Sequence, residues 1–537
     1  MTANISRRTL LAATGTAALA GSAGLTTSSY AGTHGASGPA ADPGALLRGG
    51  WHPSRAERAL VGRWARDTWR SLVAMTDERT GLPADNIGES VTNPVRSGYT
   101  SPTNIGGYLW STVVARRLGI ISPQESLRRI TQTLTTMTKV DHHDPSGMYF
   151  NWYDEATGEV LRVDPDGTKA ITPFVSSVDN GWFAAALMVV RNAEPRARRL
   201  ADSLLSKMNF AYYYNPDARP GLGAGLMRGG FFETPPPDEE TDKGNHVGTG
   251  PDVYYRKFHY DTCNTEARIA PYIGIARGQV PPEQYFATYR TFPDSCDWSW
   301  VEQRPVGVHR TYLGIDVFEG TYSYRGMRLV PSWGGDMFES LMPDLFVPES
   351  SWAPRSWGIN HPLTVRAHIE HGLDDAKYGY WGFSPASNPR GGYSVYGVDA
   401  IGMDPGGYPS DLEATNYDKG FDGCREGTNP NPTYGDGVVT PHAAFLAMQY
   451  APGQAIENLA RIESTLHAYG GGGFFDSVAV KSGLIARRYL SLDQAMVMGA
   501  IGNVFGGDVI RRNFSVGDVA RRVRPLIAME QFSSGLE

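Results

Sequence analysis

Helical segments that come in pairs constrain the fold of this chain more than any other feature. The segment SPTNIGGYLWSTVVARRLG begins at Ser101 and stops at Gly119, a residue type that commonly ends helices. The next segment, SPQESLRRITQTLTTMTK, has Ser122 as its N-cap, Pro123 in the first helical position and Glu125 in place for a capping box. These signals predict two helices joined by a short turn.

Further segments repeat apolar residues at spacings of three and four, which is typical of helices with one buried face. They cover residues 176–193, 194–214, 440–451, 453–470 and 491–507. Paired helices must bury their apolar faces against one another, so about a dozen of them in one chain favour a closed ring of helical hairpins. The sequence thus predicts an all-α fold, with residues 51–537 as a single domain.

Long irregular stretches separate the helix pairs, at residues 212–258, 291–335, 375–435 and 470–488. They carry much of the Gly and Pro and many of the 12 Trp, 27 Tyr and 20 Phe. Aromatic rings on loops suit sugar binding, because the C–H face of a pyranose packs on a ring; the alternative is that they cover a large core. Converging loops of this kind predict a cleft at one end of the ring. A two-domain α+β arrangement is the alternative fold, because GGYSVYGVDAIG and GVHRTYLGI are compatible with strands.

The first fifty residues have the pattern of an export signal followed by a leader. Adjacent Arg7 and Arg8 precede a short Ala/Leu/Gly run and a small-residue cleavage pattern, which predicts a twin-arginine signal over residues 1–31. Residues 32–50 are rich in Gly, Ala, Pro and Ser and predict a flexible leader. The apolar run is too short for a stable membrane span, so we expect a folded, secreted protein with no membrane association after export.

Charge and cysteine content exclude several classes of function. The formal net charge is -7 without a basic block, which argues against nucleic-acid partners and anionic membrane surfaces. The three cysteines, Cys263, Cys296 and Cys424, have no zinc spacing and form no disulfide framework. The acidic stretch PPPDEETDKGNH lacks the spacing of a calcium loop, so we expect a solvated flap, no metal and no cofactor. The oligomeric state is left open.

Eight short motifs occur in one order between about residues 95 and 505. They are GYTSPTNIGGYLWSTVVARRLGII, MYFNWYD, PFVSSVDNGWFAAAL, YDTCNTEARIAPYIGIARG, SWGGDMFESLMP, YGYWGFSPA, VVTPHAAFLAM and RRYLSLDQAMV. In this order the sequence resembles the glucanase-like domain of cyclic β-1,2-glucan synthases and the related endo-β-1,2-glucanases, often labelled glucoamylase-like.

The resemblance implies an (α/α)6 toroid and a glycosidase or transglycosidase that acts on β-1,2-glucan. It implies that Glu266 is the general acid or acid/base and that Glu339 is the second carboxylate of the retaining members. It also implies that Asp179 binds sugar or supports the site. The synthases carry glycosyltransferase and phosphorylase-like domains to which this sequence has no counterpart, so synthase activity is not expected. Residues 225–257 resemble an insertion, which leaves substrate length and linkage open.

The chemistry of glycoside cleavage agrees with two carboxyl groups. One must protonate the leaving oxygen, and the other must attack the sugar or activate water. Glu266 lies among apolar residues that would keep it protonated, although an acid at a helix N-terminus is the alternative reading. Pro271 either kinks a helix or begins one, and in the second case Glu266 lies in the entry turn. His259 and Cys263 lack a catalytic signature and are predicted to pack.

Glu339 follows the glycine pair of SWGGDMF, which allows a close backbone approach. Asp336 lies three residues before it, either on the same helical face or as an N-cap. If the enzyme inverts configuration, Asp399 and Asp404 are candidates for the base. Trp381, Phe383 and Tyr396 are candidates for aromatic platforms on which a sugar ring packs. The predicted substrate-binding residues are Asp179, Trp182, Tyr260, Trp333, Phe338, Trp381 and Asp399.

Three functions remain open at this point. The first is a secreted glycoside hydrolase that cleaves β-glucan, β-1,2-glucan above all, with an oligo- or polysaccharide as partner. The second is a lyase on an acidic polysaccharide, which would use Tyr and His with a basic residue to neutralise the uronate. The third is a glycan-binding protein without catalytic activity.

Overall fold

The computed structural model describes residues 50–292, 303–403 and 434–537, together with the backbone of two strands within 418–429. The predicted export signal and all of the leader but Gly50 lie outside the described residues. The same is true of Cys296, Asp404 and Cys424. In the described part of the chain, no helix has both the length and the apolar character needed to cross a membrane.

The described α-helices range from four to 21 residues. They are α1 (Arg55–Met75), α2 (Pro102–Arg117), α3 (Pro123–Met137), α4 (Ser177–Ala193), α5 (Arg198–Leu205), α6 (Ile269–Arg277), α7 (Glu283–Ala287), α8 (Met337–Leu341), α9 (Glu349–Trp352), α10 (Trp357–Glu370), α11 (Pro441–Ala447), α12 (Pro452–Leu466), α13 (Ser491–Val504), α14 (Val509–Phe514) and α15 (Asp518–Met529).

The described strands are short and form sheets of two to four strands. They are β1 (Asn86–Gly88), β2 (His142–His143), β3 (Met148–Tyr149), β4 (Phe174–Ser176), β5 (Tyr214–Arg219), β6 (Ala224–Arg228), β7 (Gly230–Phe232), β8 (Thr241–Gly244), β9 (Val253–Arg256), β10 (His259–Tyr260), β11 (His309–Tyr312), β12 (Ile315–Phe318), β13 (Tyr322–Tyr324), β14 (Met327–Leu329), β15 (Ala386–Ser387), β16 (Tyr393–Ser394), β17 (Asp418–Phe421), β18 (Arg425–Asn429), β19 (Val438–Val439), β20 (Tyr469–Gly470), β21 (Gly473–Phe474), β22 (Ser477–Ala479), β23 (Ile485–Ala486), β24 (Arg488–Leu490) and β25 (Gly535–Leu536).

The helix starts that the sequence predicts are present. Ser101 caps α2, accepting the N–H of Asn104 at 3.2 Å, and Gly119 follows the helix with a φ of 72°. Ser122 caps α3 by accepting the N–H of Glu125 at 3.1 Å. Of the two hydrogen bonds of a capping box, α3 has the one accepted by Ser122. The Glu125 carboxylate pairs with Arg128 and Arg129 one turn further on instead of accepting from the N-cap main chain.

Six helices contact one another in a circuit. The order is α2, α4, α6, α8, α11 and α13, after which α13 contacts α2 again. The contact between α6 and α8 is made by the 3-10 turn Glu266–Arg268, which leads into α6. Each of the six also packs against a second helix, in the pairs α2–α3, α4–α5, α6–α15, α8–α10, α11–α12 and α13–α1. The chain is therefore helix-rich, with helices packed side by side.

The all-α prediction is too narrow, because short antiparallel strands fill much of the predicted irregular stretches. In GVHRTYLGI, β11 pairs with β12 across a two-residue turn, Leu313 and Gly314, and both turn residues have positive φ. Turns of that kind match the twist of a hairpin. In GGYSVYGVDAIG only β16 is a strand, and a 3-10 turn follows at Asp399–Ile401. The strands belong to loops between helices, so local strand propensity does not change the helix-rich class.

Residues 225–257 contain strands of a sheet that leads into α4, the helix that carries Asp179. They contain β7, β9 and β8, which follow β4 in one four-stranded sheet, and β4 leads directly into α4. Within the acidic stretch, Asp242 accepts from Arg228 at 2.7 Å and Glu239 pairs with Arg256 at 2.9 Å. Part of the predicted flap is thus the edge strand β8, and the acidic side chains of Asp242 and Glu239 both pair with arginines.

Candidate active site

Glu266 and Glu339, the two predicted catalytic residues, are in contact, the main chain of the first with the carboxylate of the second. The main-chain N–H of Glu266 donates to Oε2 of Glu339 at 2.6 Å, and the hydroxyl of Thr265 donates to the same oxygen at 2.7 Å. Both glutamates are buried, with 4% and 3% of their surface exposed. Residues 73 positions apart in the chain are therefore brought into one site.

The local sequence explains why Glu266 lies in a turn. Thr265 has an extended backbone and caps the 3-10 turn, its hydroxyl accepting the N–H of Ala267 at 3.3 Å. Pro271 lies in the first turn of α6, where its missing N–H is no loss. Of the two readings of Pro271, the structure shows the one in which Glu266 occupies the entry of the helix.

Asp336 is the N-cap of α8, as one of the two interpretations of its spacing predicts. Its Oδ1 accepts the N–H of Glu339 at 2.8 Å. Gly335, just before it, has a φ of 62°, and a Cβ there would lie 2.1 Å from the carbonyl oxygen of Val398. Burial, and then the nearby charges of Glu339 and Glu266, raise the pKa of Asp336 well above its usual range.

The first turns of neighbouring helices in the circuit meet at the site. Thr103 in α2 donates to Oδ1 of Asp179 in α4 at 2.5 Å, and Asn151 donates to Oδ2 of Asp179 at 2.8 Å. Asp179 is buried, and Ser176 caps its helix. This anchoring of both carboxylate oxygens is compatible with a supporting role, and the predicted contact of Asp179 with sugar stays a prediction.

Trp182 lies one turn after Asp179 and donates its indole Nε1–H to Oε2 of Glu266. Its ring is fully buried and packs against Trp110 and Phe346, with centroids 6.3 and 5.4 Å away. The indole therefore lies behind Glu266 and orients that carboxyl group. The predicted contact of Trp182 with substrate stays a prediction.

Arg268 and Glu349 form a buried ion pair beneath the two carboxylates. The guanidinium donates to both carboxylate oxygens of Glu349 at 2.8 Å, and also to the main-chain carbonyls of Thr265 and Glu339 at 2.7 and 2.9 Å. Arg268 thus ties the Glu266 turn to the Glu339 helix. No motif in the sequence links Arg268 to Glu349, which lies 81 positions away.

The other predicted binding residues differ in their burial. Tyr260 and Trp333 are partly buried; Phe338, Trp381 and Asp399 are buried, as are Phe383 and Tyr396. Phe338 precedes Glu339 in α8, and Asp399 opens a 3-10 turn. Their contacts with a substrate stay predictions.

His259 and Cys263 have the properties of packing residues, as predicted. Burial lowers the pKa of His259 to about 3, and its Nε2 lies 3.0 Å from Nδ2 of Asn215. Burial raises the pKa of the free Cys263 thiol to about 12. A neutral imidazole and a protonated thiol give no activated nucleophile at neutral pH.

Two groups of three described side chains have possible metal-ligand atoms within 4.8 Å of one another. In the first, Asp344, Glu349 and His361, the two carboxylates already pair with buried arginines. The second contains His442, Asp476 and Asp493, in which Nδ1 of His442 lies 3.7 Å from Asp493. The prediction that the protein needs no metal stays a prediction.

The geometry suits acid–base chemistry on two carboxyl groups. Hydrogen-bond donors stabilise the ionised form of a carboxylate, and Glu339 receives two donors on one oxygen. The adjacent Glu266 is enclosed by Trp182 and the main chain of its own turn. Glycoside cleavage requires one carboxyl group that donates a proton and a second that attacks the sugar or activates water, and the site supplies two carboxyl groups.

Comparison with known proteins confirms the resemblance found in the sequence. The glycoamylase family model matches residues 306–515, and a family of unknown function, DUF3131, matches residues 63–215. The cyclic β-(1,2)-glucan synthase NdvB of Rhizobium meliloti is 26% identical over 577 aligned positions, which cover 86% of this chain. The match spans only 18% of the length of that synthase. The chain is therefore similar to proteins of the endo-β-1,2-glucanase-like superfamily.

Solved structures share the fold. An endo-β-1,2-glucanase from Chitinophaga pinensis is 15% identical, with a TM-score of 0.60 over 88% of this chain and 98% of that one. An endo-β-1,2-glucanase from Talaromyces funiculosus is 11% identical, with a TM-score of 0.58 over 90% and 93%. At these identities the comparison establishes the fold, and the chemistry has to be argued from the residues.

Proposed function

We propose that this protein is a glycoside hydrolase that cleaves β-1,2-glucan with Glu266 and Glu339 as its catalytic carboxyl groups. The observation that carries the proposal is the contact between the Glu266 turn and the Glu339 carboxylate, at 2.6 Å. Burying acidic side chains near one another is unfavourable, so an enclosed arrangement of this kind at the N-terminal turns of adjacent helices is a functional-site candidate.

The architecture supports the proposal. We infer that the circuit of six helices and the second layer of six form an (α/α)6 toroid. Hydrogen bonds between first turns, from Thr103 to Asp179 and from Thr265 to Glu339, place the N-terminal ends of several inner helices together. Helix N-termini carry partial positive charge, which favours acidic side chains and hydroxyl-rich ligands at that end of a ring.

The relatives support β-1,2-glucan as the substrate. NdvB is named for the synthesis of a cyclic β-1,2-glucan, and the structural neighbours are named as endo-β-1,2-glucanases, one of them in complex with sophorose. We extend this substrate class to the present chain, with hydrolysis as the reaction. Synthesis is not proposed, because the similarity covers a small part of the synthase.

In the proposed reaction Glu266 donates its proton to the glycosidic oxygen as the bond to the anomeric carbon breaks. Glu339, held ionised by its two donors, supplies the negative charge opposite. It either attacks the anomeric carbon or takes a proton from the attacking water, and both routes use the same pair of groups. Trp182 fixes the orientation of Glu266, and Arg268 fixes the spacing between the two turns.

A panel of defined glucans tests the proposal. The protein is incubated with β-1,2-, β-1,3-, β-1,4- and α-1,4-glucans, and the products are separated by chromatography. We expect short oligosaccharides from β-1,2-glucan only. Cleavage of none of them, or formation of products with the absorbance of an unsaturated uronate from an acidic polysaccharide, would overturn the proposal.

Two glutamine variants make the test specific. Glu266→Gln keeps the shape of the side chain and removes the proton donor, so we expect cleavage to fall by about 10²–10⁴-fold. Glu457→Gln makes the same change on an exposed position of α12 and should cleave at the wild-type rate. Binding of β-1,2-glucan without turnover by the wild type would indicate a binding protein instead.

We also propose that the protein acts outside the cytoplasm, on the basis of the Arg7 and Arg8 pair. Expression of the full chain should yield a processed protein whose N-terminus lies near residue 32. Recovery of the uncleaved chain in the cytoplasm of cells with a working twin-arginine system would contradict this.

A further inference from the structure

Thr265 contacts both acidic turns of the site through one hydroxyl group. Its Oγ1 accepts the N–H of Ala267 at 3.3 Å and lies 2.7 Å from Oε2 of Glu339. The same oxygen of Glu339 lies 2.6 Å from the main-chain nitrogen of Glu266. Thr265 itself is buried, with 5% of its surface exposed.

The direction of these hydrogen bonds follows from the chemistry of the groups. A main-chain N–H can only donate, so the Thr265 oxygen accepts from Ala267, and its single proton is left for Glu339. Oε2 of Glu339 therefore accepts two donors. Both contacts favour the ionised carboxylate.

The charged and titratable groups around Glu339 act in opposing directions. Glu266 and Asp336 are acidic neighbours that oppose ionisation, and the Arg268 guanidinium donates to the carbonyl oxygen of Glu339. Two other helices pack against α8: α10, which carries His361 and His368, and α11, which carries His442. The Thr265 hydroxyl and the Glu266 N–H both donate to the Glu339 carboxylate.

We propose that Thr265 is a positioning residue that keeps Glu339 ionised and aligned opposite Glu266 during glycoside cleavage. This inference rests on the proposed function, because it assigns Glu339 the negatively charged role and leaves proton donation to Glu266. A role limited to capping the turn would use only the bond from Ala267. The bond to Glu339 gives the hydroxyl a second function.

Thr265→Val and Thr265→Ser test the proposal, because valine keeps the shape without the hydroxyl and serine keeps the hydroxyl. A hydrogen bond to a charged acceptor is strong enough for its loss to move a carboxyl pKa by about one to two units. We expect the acid limb of kcat/KM for β-1,2-glucan to move up by that amount in Thr265→Val. Its activity should recover towards the wild-type value as the pH rises, and its KM should stay the same. Thr265→Ser should follow the wild-type profile.

Ser122→Ala is the matched control for lost capping, since Ser122 caps the outer helix α3. It should lose stability by an amount similar to Thr265→Val without a change in the pH profile. A wild-type acid limb in Thr265→Val, or an equal shift in Thr265→Ser or Ser122→Ala, would overturn the proposal.

A second measurement does not depend on turnover. In the full chain with ¹³C-labelled glutamate carboxyls, the Glu339 signal is assigned by its loss in Glu339→Gln and then titrated. We expect its pKa to be higher in Thr265→Val than in the wild type. If that shift is seen but no glucan is cleaved, the proposed function fails, while the effect of Thr265 on the pKa of Glu339 stands. If glucan is cleaved and no shift is seen, the role of Thr265 is refuted.

Discussion

The ion pair beneath the site provides a prediction whose size can be worked from the structure. Glu349 is fully buried and accepts from Arg268, from the Tyr272 hydroxyl at 2.8 Å and from His361 at 2.9 Å. Burial alone would raise the pKa of Glu349, but Arg268 and His361 overcome this and lower it from 4.5 to about 2. Glu349→Gln leaves the shape in place and removes the charge.

Two separate arguments give a similar value for the loss of stability in Glu349→Gln. A pKa lowered by about 2.5 units corresponds to about 3 kcal/mol of stability at neutral pH, at 1.36 kcal/mol per unit. Removing one partner of a buried ion pair costs about 3–5 kcal/mol, because the other charge is left buried and uncompensated. We therefore expect Glu349→Gln to lower the free energy of unfolding by at least about 3 kcal/mol at pH 7.

Chemical denaturation at two pH values tests the reasoning. The folded-state pKa of Glu349 is lowered, so its stabilisation is complete above pH 4.5 and is lost as the pH falls towards 2. The difference between wild type and variant should shrink to about 1 kcal/mol at pH 3. A loss at pH 7 no larger than that of the exposed control Glu457→Gln would refute a stabilising role for the pair.

Two further predictions concern other buried groups. Burial, and then the charge of Glu530, raise the pKa of Glu319 to about 8. Between pH 4.5 and 8 this group ionises in the unfolded chain but not in the folded protein, so the folded protein loses stability as the pH rises through that range. Glu319→Gln should therefore gain thermal stability over the wild type as the pH increases from 5 to 9, and an unchanged difference in Tm would contradict this. Trp182→Phe removes the indole donor to Glu266 but keeps an aromatic ring, so the basic limb of the pH–rate profile should move to higher pH. A profile identical to the wild type would show that the indole does not act on Glu266.

Local signals in the sequence predict much of the helical framework. The serine and proline at the starts of α2 and α3, and the glycine after α2, act within one turn of the chain, so short-range pattern reading finds them. Asp336 as an N-cap is likewise a local feature. The short strands were underestimated because most contain only two to four residues and lie in stretches read as irregular.

The site depends on contacts that no short-range pattern contains. Glu266 and Glu339 were chosen through a family resemblance, and their contact is made by chain segments 73 residues apart. Arg268 pairs with Glu349, which lies 81 residues further along the chain. Trp182 is predicted from the sequence to bind substrate, and only the packing shows that its ring is fully buried and donates to Glu266. Tertiary contacts of this kind can be identified only once the fold is known.

The most direct test of the central claim is the rate of β-1,2-glucan cleavage by Glu266→Gln, by Glu339→Gln and by the double variant, compared at equal folded fraction. If the two carboxyl groups act as a unit, each single variant should lose about as much activity as the double variant, since either loss disables the same step. Losses that multiply in the double variant, or a single variant that cleaves at the wild-type rate, would contradict catalysis by this pair.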